Sequence, residues 1–411
     1  MSPEVVTPVG RLRGNLKHWK EACSNEYIID VIDKGYKLPF MNFPATTEIK
    51  NNSSALENST FVTAEIQNLV AKGCVSEVQS VPLVVNPLTV AFNRSGKARL
   101  VLDCRHVNPV LFKSQSRYED QSVARQLFHK GDYVFSFDIK SAYHHIMIDR
   151  SHRTYLGFHW TQNGHKKYYV FNVLPFGIST AGYIFTKVLR VLVEKWRSLG
   201  LRVVLFLDDG LGGNHTFAEA LRDSSFIRQD LIDFGFLIAD EKCNWQPCLF
   251  LTWLGYFWDM EQGILRVTED RLERAFQLIE QLVLKVSTGQ VFIPVRMLAC
   301  LTGQLLSMQC VLGPVVRLKS RSLYQCIQSK ASWNAPVKVS SEVLSELIFW
   351  KENLRSLNMC SFGQMESVDN ASVSVDVIGV KNVFVDASGS GFGSYVDGID
   401  DSQFFGNMVR I

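Results

Sequence analysis

The sequence predicts an α+β protein with an antiparallel central sheet, and three observations lead there. "LTVAFNRSGKARLVLDC" (88–104) and "HRTYLGFHWTQNGHKKYYVFNV" (152–173) each read strand, polar turn with Gly, strand, the pattern of a β-hairpin. "GISTAGYIFTKVLRVLVEKWRSLG" (177–200) is a long amphipathic helix that stops at a glycine, a usual C-terminal cap. "VVLFLDDGLGG" (203–213) drives five consecutive apolar residues into Asp208 and Asp209. Asp-Gly between apolar runs is also an ordinary turn signal. A chemical reading of the pair needs support from elsewhere in the chain.

The remaining elements follow in order. Residues 10–36 read as a short basic helix and a second helix, with Leu12, Leu16 and Trp19 on one face. "KLPFMNFP" breaks that pattern, and the Ser/Asn-rich stretch at 51–60, in which "NNSS" and "NST" match glycosylation sequons, reads as a polar loop. Residues 61–79 read as helix, with Ile66, Leu69 and Val70 on one side. "YVFSFDIKSAYHHI" (133–146) reads as strand then helix, 217–234 as helix, and "FLIADEKCNW" (236–245) and "FLTWLGYFWD" (250–259) as strands. The helical period then runs from 268 to 328, broken at 286–294 and near Gly313-Pro314, with one more helix at 339–357. A polar irregular stretch (359–382) precedes a last strand and hairpin, "VFVDASGSGFGSYVDG".

Composition bounds the class. At 411 residues, 46% hydrophobic and 20% charged, the chain has the make-up of a globular protein with two to four subdomains. No apolar run approaches the ~20 residues that span a bilayer, and the opening "MSPEVVTPVGRLRG" has no signal-peptide character. The expectation is an intracellular protein without a membrane partner, in cytoplasm or nucleus. Nine cysteines without a C-x-x-C pair point to reduced thiols rather than a disulfide frame or zinc site. Net charge is +3, yet residues 264–330 alone hold nine Lys/Arg against four acids, 9 − 4 = +5. Such a segment is either a solvated face or a surface that tracks phosphates.

A third carboxylate answers the question of Asp208 and Asp209. Asp138 ends a predicted strand 208 − 138 = 70 residues earlier, and antiparallel neighbours would bring all three to one sheet edge. Converging carboxylates repel unless cations neutralise them, and two divalent metals ~3.5–4 Å apart are the solution in polymerases and nucleases. Oxygen-only ligands suit Mg2+. Tandem His144-His145 cannot readily chelate one ion from adjacent helical positions; they read as helix-surface or nucleic-acid-facing residues.

"FDIKSAYHHI", "LPFGIST", "FLDDG", "ADEKCNW" and "WLGYFW", preceded by "GKARLVLDCRHVN", resemble in content and order the motifs of retroelement reverse transcriptases. The likeness spans about residues 80–260, and "GYKLPF" with the late "FVDASGSGFG" is most similar to DIRS-type retrotransposons. The resemblance implies a polymerase right hand: an N-terminal helical and linker region 1–60, fingers and palm 61–258, thumb 259–330, a connecting segment 331–380 and an incomplete ribonuclease H-like segment 381–411. The activity implied is RNA-directed DNA polymerisation from dNTPs on an RNA template and DNA primer, with an RNA–DNA hybrid as product. The alternative is a catalytically silent nucleic-acid-binding relic of a retroelement. A telomerase-like cellular enzyme would need an RNA-binding domain for which residues 1–60 are too short.

By the same resemblance Asp138, Asp208 and Asp209, with the Ile139 carbonyl, would hold two Mg2+ ions, for which Mn2+ can substitute. Lys97 and Arg99 would close on the triphosphate, and Lys242 would approach the leaving pyrophosphate as a general acid. Tyr143 would gate the sugar, Phe176 and Gly177 would line the nucleotide and template pocket, and Trp253, Leu254 and Gly255 would grip the primer. Plainer readings exist: hairpin-tip charges for Lys97 and Arg99, a surface lysine for Lys242, core aromatics for Tyr143, Phe176 and Trp253. Phe206 stands where many relatives carry Tyr, so less polar contact near the primer is expected, not inactivity. Asp386 would be the first metal carboxylate of a ribonuclease H domain. With 411 − 386 = 25 residues after it, the expectation is no ribonuclease H activity.

Overall fold

Asp138 and Asp209 lie side by side on a four-stranded antiparallel sheet. Its order is Asn244–Cys248, Tyr133–Asp138, Asp209–Asn214, Arg202–Phe206. The structure, a computed structural model, describes residues 6–93, 96–113 and 118–363, and the backbone of three strands beyond. Both faces of the sheet are buried. Phe135, Phe137, Val203 and Leu205 pack into a core shared with Trp19, Phe185 and Trp196. Val134, Val204 and Leu211 pack into a second core shared with Trp258, Leu265 and Ile293. That is why "VVLFL" runs apolar without alternation. The Asp-Gly step is not the turn: Phe206 pairs with Asp209, leaving Leu207-Asp208 as the two-residue loop. Gly210 and Gly212 lie within the strand because a Cβ would sit 2.1 Å from the Phe137 ring and 2.4 Å from the Phe135 ring.

The first 60 residues, expected as a helical and linker region, carry helices within 10–36 and contribute to this core. Trp19 is fully buried, meets Phe234 edge-on at 4.8 Å, and donates its indole N–H to the Phe234 carbonyl at 3.1 Å. The expected loop at 51–60 is instead the helix Ser53–Glu57 and the start of Ser59–Ala71. Its polar side chains serve the adjoining strand Leu88–Phe92: Ser54 Oγ accepts from the Val90 amide at 3.2 Å, and Asn52 donates to Thr89 Oγ1. The helix expected to 79 ends at Ala71, because Gly73 takes φ 72°. Val75–Val78 then becomes the edge of a five-stranded sheet that contains the hairpin Gly157–Gln162 and His165–Phe171.

The helical region that begins at Glu269 also extends past residue 330. Helices Glu269–Ser287, Val295–Ser307 and Arg321–Gln328 share one core with Ser341–Asn353 through Ile279, Leu298, Leu323, Leu347 and Trp350. Trp350 donates to the Lys319 carbonyl at 2.7 Å, and Cys360–Ser361 adds an antiparallel strand to Ile264–Val267. A boundary after residue 330 therefore cuts through a core. A separate unit, residues 366–411, contains an antiparallel sheet of Val383–Ala387, Gly391–Val396 and Phe404–Asn407. The expected hairpin is there, with a third strand that was not expected; the acids that follow Asp386 in the sequence, Asp397, Asp400 and Asp401, lie outside the described residues. Among the described residues no helix is long and apolar enough to cross a membrane.

Candidate active site

The carboxylates meet through backbone register. Asp138 is the direct partner of Asp209, and the Ile139 amide donates to the Asp208 carbonyl at 3.0 Å. Directly opposed residues of antiparallel strands are about 4.5–5.5 Å apart between Cα atoms, so three acids crowd one sheet end. Burial first, then Asp208 and Asp138, pushes the Asp209 carboxyl up to about 6. Burial likewise raises Asp208, with Asp138 adding to the rise. Lys242 opposes both shifts. Its Nζ lies 3.0 Å from each oxygen of Asp138, and Arg99 adds a favourable field at Asp208. Among the described residues the acids do not form a closed cage with three protein ligands; the Lys242 ammonium caps Asp138.

Local structure explains how these groups arrive. The strand expected at 236–245 is broken: Ile238 makes a bridge to Ile139, a 3-10 turn, Asp240–Lys242, follows, and only Asn244 and Trp245 fall in a strand, the start of Asn244–Cys248. That turn folds Lys242 back because the Ala239 amide donates to the Asp138 carbonyl at 3.0 Å. Past Asp138 the chain makes another 3-10 turn, Ala142–His145, not a helix. Ser141, Leu207 and Leu254 are three of the four non-glycine residues at positive φ among the described residues. Such backbone strain collects where surrounding structure enforces a functional geometry.

Tyr143 is half-buried, with its ring 5.4 Å from Phe176 and 5.7 Å from Phe185. Phe176 is 39% exposed. Gly177, at φ 114°, brings its backbone so close to Leu102 that a Cβ would lie 1.8 Å from the Leu102 carbonyl oxygen. This ties the "LPFG" turn to the hairpin Leu88–Phe92 and Ala98–Leu102, whose tip carries the exposed Lys97 and Arg99. Trp253 is a core residue, 4% exposed. Leu254-Gly255 forms the two-residue turn above it, both at positive φ.

Three contributors were not among the site residues expected from the sequence. Arg271 pins that turn by donating to the carbonyls of Leu254 (3.2 Å) and Gly255 (2.9 Å). Cys243 Sγ accepts from the Asp138 amide at 3.2 Å. His145, read as surface or nucleic-acid-facing, is buried; its Nε2 accepts from the Leu237 amide at 3.0 Å, which holds the lysine-bearing segment in place.

A carboxylate-bearing antiparallel sheet, flanked by a β-rich subdomain and a helical one, is the right-hand polymerase fold, as expected. Residues 92–257 match the family described as reverse transcriptase (RNA-dependent DNA polymerase). The Pol polyprotein of equine infectious anemia virus (isolate 1369) is 29% identical over 202 residues, 46% of this chain and 17% of that protein. The retrovirus-related Pol polyprotein from transposon gypsy of Drosophila melanogaster is 29% identical over 191 residues, 45% of this chain and 18% of that one. The chain thus spans under a fifth of the length of these relatives. Among solved structures, the foamy viral protease-reverse transcriptase in complex with RNA/DNA hybrid superposes with a TM-score of 0.62. The match has 16% identity and covers 97% of this chain and 52% of that one. A second foamy viral structure, the dRH form with ds DNA, gives 0.61 at 16% identity, covering 97% and 68%.

Proposed function

We propose that the chain is the polymerase part of a retrotransposon Pol protein, an RNA-directed DNA polymerase. It would join deoxynucleoside triphosphates to a primer 3′-hydroxyl and release pyrophosphate. The observation that carries this reading is the register that sets Asp138 against Asp209, with Asp208 in the adjoining turn. The donor set fits hard divalent cations: oxygen ligands only, and a carboxyl forced up to about 6 by burial and its acidic neighbours. Asp138, Asp208, Asp209 and the Ile139 carbonyl would hold two Mg2+ ions, or Mn2+, once Lys242 gives up Asp138. When bound, such ions lower the pKa of the primer hydroxyl and stabilise charge on the reacting phosphate.

The chain's own residues bind and orient the substrates. Lys97 and Arg99 at the hairpin tip receive the triphosphate, and the influence of Arg99 on Asp208 supports their facing the same space. Lys242, released from Asp138, stands near the leaving pyrophosphate and can hand it a proton. Tyr143 lies under the sugar, beside Phe176 and Gly177. The Leu254-Gly255 turn, braced by Arg271 and backed by Trp253, holds the primer end. The RNA–DNA hybrid in the foamy viral neighbour supports an RNA template and DNA primer here. The motifs "GYKLPF" and "VFVDASGSGFG" support a DIRS-type element carrying the start of a ribonuclease H domain, with Asp386 as its metal carboxylate. Nine free cysteines support an intracellular location.

Primer extension on a homopolymer RNA template with Mg2+ tests the reading. Wild type should extend, and Asp208→Asn should lose extension while keeping its fold and primer–template affinity. No extension by the wild type would leave the silent-relic alternative. Near wild-type extension by Asp208→Asn would remove the carboxylate site from the mechanism.

A further inference from the structure

The most charge-asymmetric part of the chain is 281–341, where seven Lys/Arg and no Asp or Glu occur in sequence. The structure folds its ends together into a two-stranded ribbon, Phe292–Pro294 paired antiparallel with Pro336–Lys338. Ile293 and Val337 point into the core, so Phe292, Pro294, Pro336 and Lys338 form the outer face. Phe292 is 56% exposed and pairs across the ribbon with Lys338.

Trp333 lies just before the second strand. Of the eight tryptophans it alone is exposed, at 49%. Lys330 sets its ammonium 4.4 Å from the centre of the Trp333 ring. The next residue, Asn334, fixes Arg296 by accepting from its Nε (3.3 Å) and Nη2 (3.1 Å). The ribbon and the loop before it thus carry two exposed aromatic rings, one with Lys330 over it and one paired across from Lys338, and Asn334, next to Trp333 in the chain, holds Arg296; neither ring is part of the hydrophobic core.

We infer that this ribbon and the loop before it form a stacking platform for single-stranded nucleic acid, separate from the carboxylate site. The occupant follows from charge and shape. A base stacks on an exposed indole or phenyl face while its phosphates meet lysine and arginine, and such stacking tolerates any base sequence. Counterion release by the cations adds a salt-dependent component. A protein partner with an acidic surface would satisfy the charges but would not call for a tryptophan held beside a lysine. The inference deepens the polymerase reading by giving the enzyme a grip on unpaired strand, and its test does not require catalysis.

The experiment is fluorescence anisotropy of the full chain with labelled oligothymidylate, and separately with a labelled blunt RNA–DNA hybrid. Trp333→Ala should weaken oligothymidylate binding about 10-fold and leave hybrid binding within about twofold. Trp333→Phe should restore most of the loss, as stacking requires. Lys330→Gln and Lys338→Gln together should lower the slope of log affinity against log salt, which Trp333→Ala should not. Because Trp333 is outside the core, thermal melts of all variants should match wild type. Unchanged oligothymidylate binding by Trp333→Ala would overturn the inference, as would a change in oligomeric state without nucleic acid and no change in binding. A chain that binds through Trp333 but never extends a primer would sustain the platform and sink only the polymerase reading.

Discussion

Tyr143 shows how much a single side chain's neighbours decide. Its ring is wedged between Phe176 and Phe185, and burial, then the Asp208 carboxylate, raises the pKa of its phenol above the ordinary value. In the proposed function that ring would lie under the sugar and leave no room for a 2′-hydroxyl. Tyr143→Val should therefore raise ribonucleotide use relative to deoxynucleotides by roughly 10-fold or more, read as the ratio of kcat/KM values; an unchanged ratio would make Tyr143 packing alone. His145 carries a different consequence. Burial drives its imidazole down to about 3, against roughly 6.5 in the unfolded chain. The unfolded state binds the extra proton between those values. The stability held by neutral His145 is complete above pH 6.5 and falls as pH drops toward 3, by up to about 1.4 kcal/mol per pH unit. Urea titrations at pH 7.5 and 5 should show this loss, and His145→Gln should lose less stability than wild type over the same interval.

The carboxylate hairpin works as an element because two glycines in its strand yield space to rings on its neighbour. Gly210 faces Phe137 and Gly212 faces Phe135, each too close for a Cβ. Gly210→Ala should cost about 1–3 kcal/mol through overpacking, measured by urea unfolding. Phe137→Leu in the same chain should recover part of that cost as a coupling energy. If the two changes simply add, the ring is not what keeps position 210 a glycine. In the sequence "DGLGG" signals only a turn or a carboxylate pair, because the ring across from each glycine belongs to a segment about seventy residues earlier. A turn reading was natural because Asp-Gly serves both uses.

Two cores, one on each face of the carboxylate sheet, organise the molecule. The second recruits the helix Ser341–Asn353, whose Trp350 and Leu347 are fully buried. A chain ending at 363 should fold, whereas one ending at 330 should expose Ile279, Leu298 and Leu323 and aggregate or melt early. Circular dichroism and size-exclusion chromatography distinguish the two outcomes. Trp350→Ala should cost about 3–5 kcal/mol in urea unfolding; a loss under about 1 kcal/mol would mean that this helix is dispensable to the thumb core.

The sequence by itself determined the secondary elements with strong periodicity, such as Ala181–Ser198, Phe217–Asp233 and Glu269–Ser287, and the identity of the three acids. Apolar spacing and ordered motifs are local, so they survive in a one-dimensional reading. Tertiary structure decided what depends on partners far along the chain. It made 51–60 helical by giving Ser54 and Asn52 a strand to bind. It turned Lys242 back onto Asp138 across 104 residues, and buried His145 against Leu237. It drew residues of 336–361 into the core of the helical subdomain and tied Arg296 to Asn334, 38 residues on. In each case local preference was weak or divided. The free energy that chose the outcome came from burial and hydrogen bonds formed only once distant segments met.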